Sequence, residues 1–235
     1  NGTTTLSIDN VSCVEVGQNW VLGGSGLNTA TIASNSATIT SVDGNSYLQQ
    51  NSVFTSGKSY KISYEILSSS GSSVLKMISS LGLATVPTTV GTHTVYGTAT
   101  TTTFYIERTS NGMSASITNI SVKEVGQNWD LGGTATIGDN LVNINSPSGE
   151  NAEVYQSSVL VIGRKYKLDC TLNKTSGDTQ FVNGGTFILN NGSNVIQFTA
   201  TDTRVYFKRG AGSVISSITN ISVIEITDDT NLPRI

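Results

Sequence analysis

A segment of seventeen residues, Ile117 to Gly133, reads Ile-Thr-Asn-Ile-Ser-Val-Lys-Glu-Val-Gly-Gln-Asn-Trp-Asp-Leu-Gly-Gly and matches Ile8 to Gly24 almost residue for residue. Its first half returns at Ile218 to Ile226 as Ile-Thr-Asn-Ile-Ser-Val-Ile-Glu-Ile. The copies begin 109 residues apart (8 to 117) and then 101 apart (117 to 218). A period of that size is a whole domain, whereas solenoid units repeat every 20–50 residues or so. The chain therefore reads as a tandem array, and any function assigned to it has to suit both copies.

Between the copies the pattern has period two, with breaks at Gly, Asn and Ser clusters, which specifies β-strands. In Lys58-Ser-Tyr-Lys-Ile-Ser-Tyr-Glu-Ile66, Tyr60, Ile62, Tyr64 and Ile66 share one face, and Ser59, Lys61, Ser63 and Glu65 share the other. The second copy answers with Tyr166, Leu168, Cys170 and Leu172 on the inward face. The preceding strands correspond at an offset of 106 (Gln50 to Gln156), and a later pair, from Phe104 and from Val205, at 101. No helix of useful length is expected. Two packed antiparallel sheets per unit fit the strand count, so the expected fold is all-β, with two tandem antiparallel β-sandwich (jelly-roll) domains.

The expected boundaries are 17–125 for the first domain and 126–226 for the second. Residues 1–16 then form a terminal strand with no domain of its own. It either closes a preceding repeat or adds to a neighbouring subunit's sheet, since an unpaired edge invites association. Residues 227–235, Thr-Asp-Asp-Thr-Asn-Leu-Pro-Arg-Ile, read as a polar linker to a further domain.

Composition excludes several classes of partner. Charged residues are 12% of the chain, the net charge is -3, and Lys and Arg are scattered singly. Nucleic acid and anionic membrane surfaces need clustered cations, so neither is expected as a partner. No apolar run reaches the ~18 residues of a membrane helix. Hydrophobic residues make up 37% of the chain and alternate regularly, which argues against disorder. Cys13 and Cys170 occupy unrelated positions of different repeats and read as small core hydrophobes rather than a disulfide.

Three elements recur in order: Trp-x-Leu-Gly-Gly, then Gly-Lys/Arg-x-Tyr, then the closing Ile-x-Asn-Ile-Ser-Val strand. In this order they resemble the jelly-roll carbohydrate-binding modules of the family 4/9 type. More narrowly, they look like the tandem copies in tail-fibre and other virion-surface proteins of bacteriophages. The tail from Asp228 to Ile235 resembles the junction into a lectin-like domain in such proteins. The resemblance covers nearly the whole chain, but its motifs are scaffold residues. It implies a β-sandwich that binds glycan on a concave sheet face or at loop tips, often with a structural calcium ion, and an extracellular or virion-surface location.

Glycan platforms need aromatic rings, and the only two tryptophans, Trp20 and Trp129, stand at equivalent positions beside Leu-Gly-Gly. They read as anchors of the opening strands. Aromatics that do not repeat are better recognition candidates, namely Tyr47, which answers Glu153, Tyr96, which answers Gln197, and Phe198, which answers Gly97. Tyr105 and Tyr206 repeat and are expected to pack. Gln50 and Gln156 precede the hairpin on strands suited to line a concave face, as does Gln49, and amides offer sugars both donor and acceptor. Lys61 and Lys167 project from the polar face of the next strand, and Arg108 and Arg209 follow later. For calcium, Asp43 and Asn45 occupy one loop and Glu150 the corresponding loop of the second copy. A single histidine, His93, and two cysteines exclude the usual zinc clusters, and no carboxylate pair or Ser-His-Asp arrangement repeats.

These readings converge on a non-enzymatic adhesion module of a tail fibre or virion surface that binds host glycans. Repetition along a homo-oligomeric fibre would raise its avidity. Two alternatives stand beside it: a purely structural spacer or decoration module, and an accessory carbohydrate-binding module of a secreted bacterial glycosidase.

Overall fold

The computed structural model describes residues 19–108 and 110–226, so the terminal strand 1–16, Cys13 and the tail 227–235 lie outside the described residues. Packing groups the chain into two compact units that change over between Ile120 and Ser121, with the short segments 57–62 and 94–99 counted in the second.

The first half holds β1 (Trp20–Gly24), β2 (Thr29–Ala33), β3 (Ser36–Ser41), β4 (Ser46–Gln50) and β5 (Ser59–Gly71). After these come β6 (Leu75–Met77), the single-turn helix α1 (Ile78–Leu81), β7 (Leu83–Val86), β8 (Gly91–Thr98), β9 (Phe104–Arg108) and β10 (Met113–Val125). The second half repeats the series as β11 (Asp130–Gly133), β12 (Thr136–Gly138), β13 (Leu141–Ser146), β14 (Ala152–Gln156) and β15 (Lys165–Ser176). It ends with β16 (Thr179–Val182), β17 (Thr186–Ile188), β18 (Gly192–Thr199), β19 (Val205–Arg209) and β20 (Val214–Glu225).

These strands form four five-stranded sheets, ordered β1-β4-β9-β6-β7, β2-β3-β10-β5-β8, β11-β14-β19-β16-β17 and β12-β13-β20-β15-β18. Strands β11 to β20 take the places of β1 to β10 one for one, so the repeat in sequence is a repeat in topology. In the second half, Val154, Phe181 and Phe207 from one sheet share a single core with Leu168, Cys170, Leu172, Phe198 and Ile218 from the other. The first half buries Leu48, Leu75 and Ile106 from one sheet and Ile39, Ile62, Tyr64 and Ile117 from the other. The fold is all-β, two antiparallel β-sandwiches. Tyr60, Ile62, Tyr64 and Ile66 are all buried, as are Tyr166, Leu168, Cys170 and Leu172, as the alternation requires.

The closing strand owes its motif to a bulge. Asn119 and Asn220 both adopt left-handed φ angles, 51° and 53°, which Asn tolerates better than most residues. Opposite Asn220, the pairing of β15 with β20 slips between Asp169 and Thr171. The slip reverses the alternation: Ile218 points into the core before it, and Ile221 and Val223 pack against the core after it. One strand can thus keep apolar contact along its whole length while changing direction. The Asn of Ile-x-Asn-Ile-Ser is a backbone residue rather than a ligand.

Cys170 is buried, and burial, with Asp169 adding, pushes its thiol up to about 11. In a Cys13→Ser background, a thiol reagent at about pH 8 is expected to spare Cys170 until urea unfolds the chain, because the thiolate is the reactive form. Prompt labelling of folded protein would contradict the burial. Phe181 is fully buried and touches Phe187, Phe198 and Phe207, with ring centroids 6.1, 5.0 and 5.4 Å away. Phe181→Ala is expected to cost about 3–5 kcal/mol, read from the urea midpoint of the second half's transition.

Candidate functional site

β4 and β9 lie side by side, and their register sends Leu48 and Ile106 together into the core. The residues between them must then face outward: Tyr47 opposite Glu107, and Gln49 opposite Tyr105. β1 adds Val21 beside Gln49 and Gly23 beside Tyr47, while β6 adds Lys76 beside Glu107. The Tyr47 and Tyr105 rings form a tilted pair, 5.4 Å between centroids. Around them, Gln49 Nε2 donates to Asn51 Oδ1 at 2.7 Å, Ser79 donates to Glu107 at 2.6 Å, and Lys76 Nζ lies 3.8 Å from Glu107. The buried Ser80 hydroxyl exchanges hydrogen bonds with the backbone N and O of Tyr105, which seats that strand. Burial raises the Tyr105 hydroxyl above its ordinary value, and the neighbouring Tyr47 and Glu107 add to the shift.

The equivalent face of the second half has a different layout. Tyr155 stands opposite Tyr206 and Glu153 opposite Lys208, with Asp130 and Gly132 on β11 beside Tyr155 and Glu153. The two rings meet edge to face at 6.1 Å. Tyr206 donates its hydroxyl hydrogen to Glu153, and burial first, then that carboxylate, pushes the phenol up to about 12. Arg204 lies over both rings, its guanidinium carbon 5.5 Å from the Tyr155 centroid and 5.2 Å from that of Tyr206. Asp202 holds it there, accepting from Nη2 at 2.6 Å and from Nε at 3.0 Å. The loop carrying this pair is clamped by buried Asn183, which accepts from Thr201 N and donates to the carbonyls of Asp202 and Arg204. The first half has Thr101 and Thr103 at the corresponding positions, so the capping arginine belongs to one unit only.

The structure gathers only some of the residues singled out from sequence. Tyr47 is on the open face. Gln50 and Gln156 are not: they share the parity of Leu48 and Val154 and so turn toward the sandwich interior at their strand ends. Lys61, Tyr96 and Lys167 belong to β5, β8 and β15, in the opposite sheets, and do not join Tyr47. Arg108 and Arg209 are loop braces. Arg108 donates to the Gly44 carbonyl and to Asn45 Oδ1, and Arg209 to the carbonyls of Gly210 and Gly212. Tyr105 and Tyr206, expected to pack, do so against Tyr47 and Tyr155 while lying half-exposed on the open faces, whereas Phe198 is buried in the second core. The expected anchors behave as such, with Trp20 edge-on to buried Phe104 at 5.9 Å and Trp129 against the second core. Tyr155, Asp202 and Arg204 are not among the residues the sequence singles out. The first follows from alternation, since it stands two residues from Glu153; the Arg204 contact depends on a loop path that alternation does not encode.

The calcium candidates lie, as the repeat requires, in corresponding loops of the two units. Asp43 and Asn45 lie in one unit and Glu150 in the other. Donors already face these oxygens. Asn28 Nδ2 donates to Asp43 Oδ1 at 2.9 Å, the Arg108 guanidinium to Asn45, and the Ser148 N–H to Glu150 at 3.1 Å. A cation at these oxygens would compete with the donors already there, the Arg108 charge among them. In place of a metal, buried Asn28 organises the first loop, its Oδ1 accepting from the N–H groups of Val42, Asp43 and Gly44 at 3.0, 3.1 and 2.8 Å. Among the described residues, no three His, Cys, Asp or Glu side chains are grouped to hold a metal ion. No described helix is long and apolar enough to cross a membrane.

No known protein family matches the chain, and no curated protein matches it. Solved structures do. The N-terminal CBM22-1-CBM22-2 tandem domain of Xyn10C from Paenibacillus barcinonensis aligns over 91% of this chain and 94% of its own, at 12% identity and a TM-score of 0.32. The secreted serine protease VesC from Vibrio cholerae aligns over 82% of this chain and 48% of its own, at 12% identity and a TM-score of 0.29. The overlaps are loose, and the fold rests on the strand order and the shared cores described above.

Asn28→Ala would leave three loop N–H groups without their acceptor. It is expected to cost about 1–3 kcal/mol and to speed hydrogen exchange at Val42, Asp43 and Gly44. Adding calcium to the wild-type protein is expected to leave its melting temperature unchanged; a rise on calcium addition would mean that the loops bind the ion after all.

Proposed function

We propose that the chain is a tandem of non-enzymatic glycan-binding modules, each using the open face of the sheet that contains β4 or β14. The observation that carries this reading is the pair of adjacent tyrosines at the centre of that face in both units, Tyr47 with Tyr105 and Tyr155 with Tyr206. Two rings side by side on a rigid sheet, one pair tilted and the other edge to face, offer an apolar ring face to the C–H face of a pyranose. The polar groups around them supply what sugar hydroxyls need: a Gln49 amide with donor and acceptor, and carboxylate and ammonium pairs at Glu107 and Lys76. Asp202 and Arg204 offer an acceptor and a donor side by side at the second face. Such open, shallow faces bind weakly one at a time, and two per chain raise avidity when the ligand is a polymer.

We further propose that these modules serve attachment, as parts of a bacteriophage tail fibre or other virion-surface protein whose partners are host-surface glycans. The sequence resemblance and the low, scattered charge support that setting. A spacer role is favoured by a separate observation, the exposed Ile188 and Val195 on the edge strands β17 and β18, which offer an apolar edge to another chain.

Isothermal titration against host polysaccharide separates the two. Adhesion predicts millimolar or tighter binding, weakened about tenfold by Tyr47→Ala and Tyr105→Ala together, with melting temperature little changed. A spacer predicts no heat of binding from either unit.

A further inference from the structure

The motif Trp-x-Leu-Gly-Gly holds two glycines, and they do different things. The second, Gly24 or Gly133, has a backbone that needs glycine, with φ of 150° and 63°, and a Cβ there would strike the carbonyl of Asn28 or Asn151. The first, Gly23 or Gly132, has no such backbone requirement. What stands in the way of a side chain is the cross-strand neighbour. A Cβ on Gly23 would overlap the Tyr47 ring, Cδ1 being 2.6 Å away with two further ring atoms closer still. A Cβ on Gly132 would meet Glu153, with Cγ at 2.5 Å and Oε1 at 2.7 Å. Register explains both, since Gly23 pairs with Tyr47 and Gly132 with Glu153.

We infer that Gly23 is a positioning residue for ligand recognition: by leaving the strand bare, it lets the Tyr47 ring lie down on β1 and expose one face beside Tyr105. Any larger residue would push the ring away from β1 and disturb its pairing with Tyr105 at 5.4 Å. The same clearing in the second half admits the Glu153 side chain, which can then accept from Tyr206. The motif therefore prepares a seat, and the residue at position 47 or 153 decides whether a ring or a carboxylate occupies it. Shielding of a strand glycine by a facing ring is also a purely structural device. The two roles differ in what they predict: a structural glycine governs melting, whereas a positioning glycine governs binding. The inference rests on the open faces being the glycan sites.

The test is affinity electrophoresis and titration of the whole chain with soluble β-glucan, mannan, dextran and bacterial lipopolysaccharide. Wild type, Tyr47→Ala, Gly23→Ala and Gly132→Ala are compared, and the Gly23 Hα chemical shift reports the ring current of Tyr47. Gly23→Ala is expected to weaken binding about threefold, as Tyr47→Ala alone does, with little change in melting temperature. A gain-of-function pair guards against a poorly folded variant: Glu153→Tyr is expected to strengthen binding, and Glu153→Tyr combined with Gly132→Ala is not. If Tyr47→Ala abolishes binding while Gly23→Ala leaves it intact, or if Glu153→Tyr acts equally with and without Gly132, the inference fails and the glycan reading stands. If wild type binds none of the polysaccharides, the glycan reading fails and the inference falls with it.

Discussion

What the central strands present on the two open faces follows from one constraint, the register of β4 against β9 and of β14 against β19. Side chains on paired strands alternate together, so placing Leu48 opposite Ile106 and Val154 opposite Phe207 in the cores leaves no choice about what emerges on the other side. A slip of β4 by one residue would bury Tyr47 and Gln49 and expose Leu48. Core burial is worth roughly 1.5–3 kcal/mol for each large apolar side chain, so it holds the register far more firmly than any contact on the open face. The candidate site therefore needs little stabilisation of its own. Its residues are free to vary without putting the fold at risk.

The closing strand shows the same dependence from the other side. Its bulge at Asn119 and Asn220 shifts the alternation so that one strand serves the core along both of its segments. That demand explains why Ile-x-Asn-Ile-Ser is the most faithfully repeated string in the chain. A position needing left-handed φ tolerates few residues, and apolar partners on both sides of it narrow the choice further. Strong repetition here reports backbone geometry. Glu225 fits the same picture, since it repeats yet serves as the partner of Arg164, 2.9 Å away at the surface.

Fold was more legible in the sequence than site, for a physical reason. Period-two alternation is imposed by the core, and it placed Tyr60, Ile62, Tyr64 and Ile66 correctly because all four are buried. The same logic applied strictly would have turned Gln50 and Gln156 inward and Tyr155 outward, because Leu48 and Val154 fix the parity. Taking repetition as a sign of packing hid Tyr105 and Tyr206. Both repeat, yet their strand neighbours Phe104 and Phe207 are the ones that fill the cores. Other failures lay beyond any pattern. Which sheet holds Lys61 and Lys167 depends on strand order, and the reach of Arg108 to Gly44 depends on loop shape.

Position-by-position comparison of the repeats also misjudges the site, because the two faces balance the same chemistry with different residues. The first has its ring at 47 and its amide at 49; the second has its carboxylate at 153 and its ring at 155. Across the pairing, Glu107 in one unit is answered by Lys208 in the other. Each face keeps two adjacent rings and at least one carboxylate within reach of a cation, but one ring of the pair steps along its strand by two residues while Tyr105 and Tyr206 keep the same place. In the second face Arg204 also covers both rings, which takes away part of the stacking surface and adds a hydrogen-bonding edge. A sugar ring lying flat suits the first arrangement better, and a polar sugar edge suits the second. On the glycan reading proposed above, two sites of unlike character on one chain would select for a polymer that presents both features, a narrower demand than doubling a single site would make.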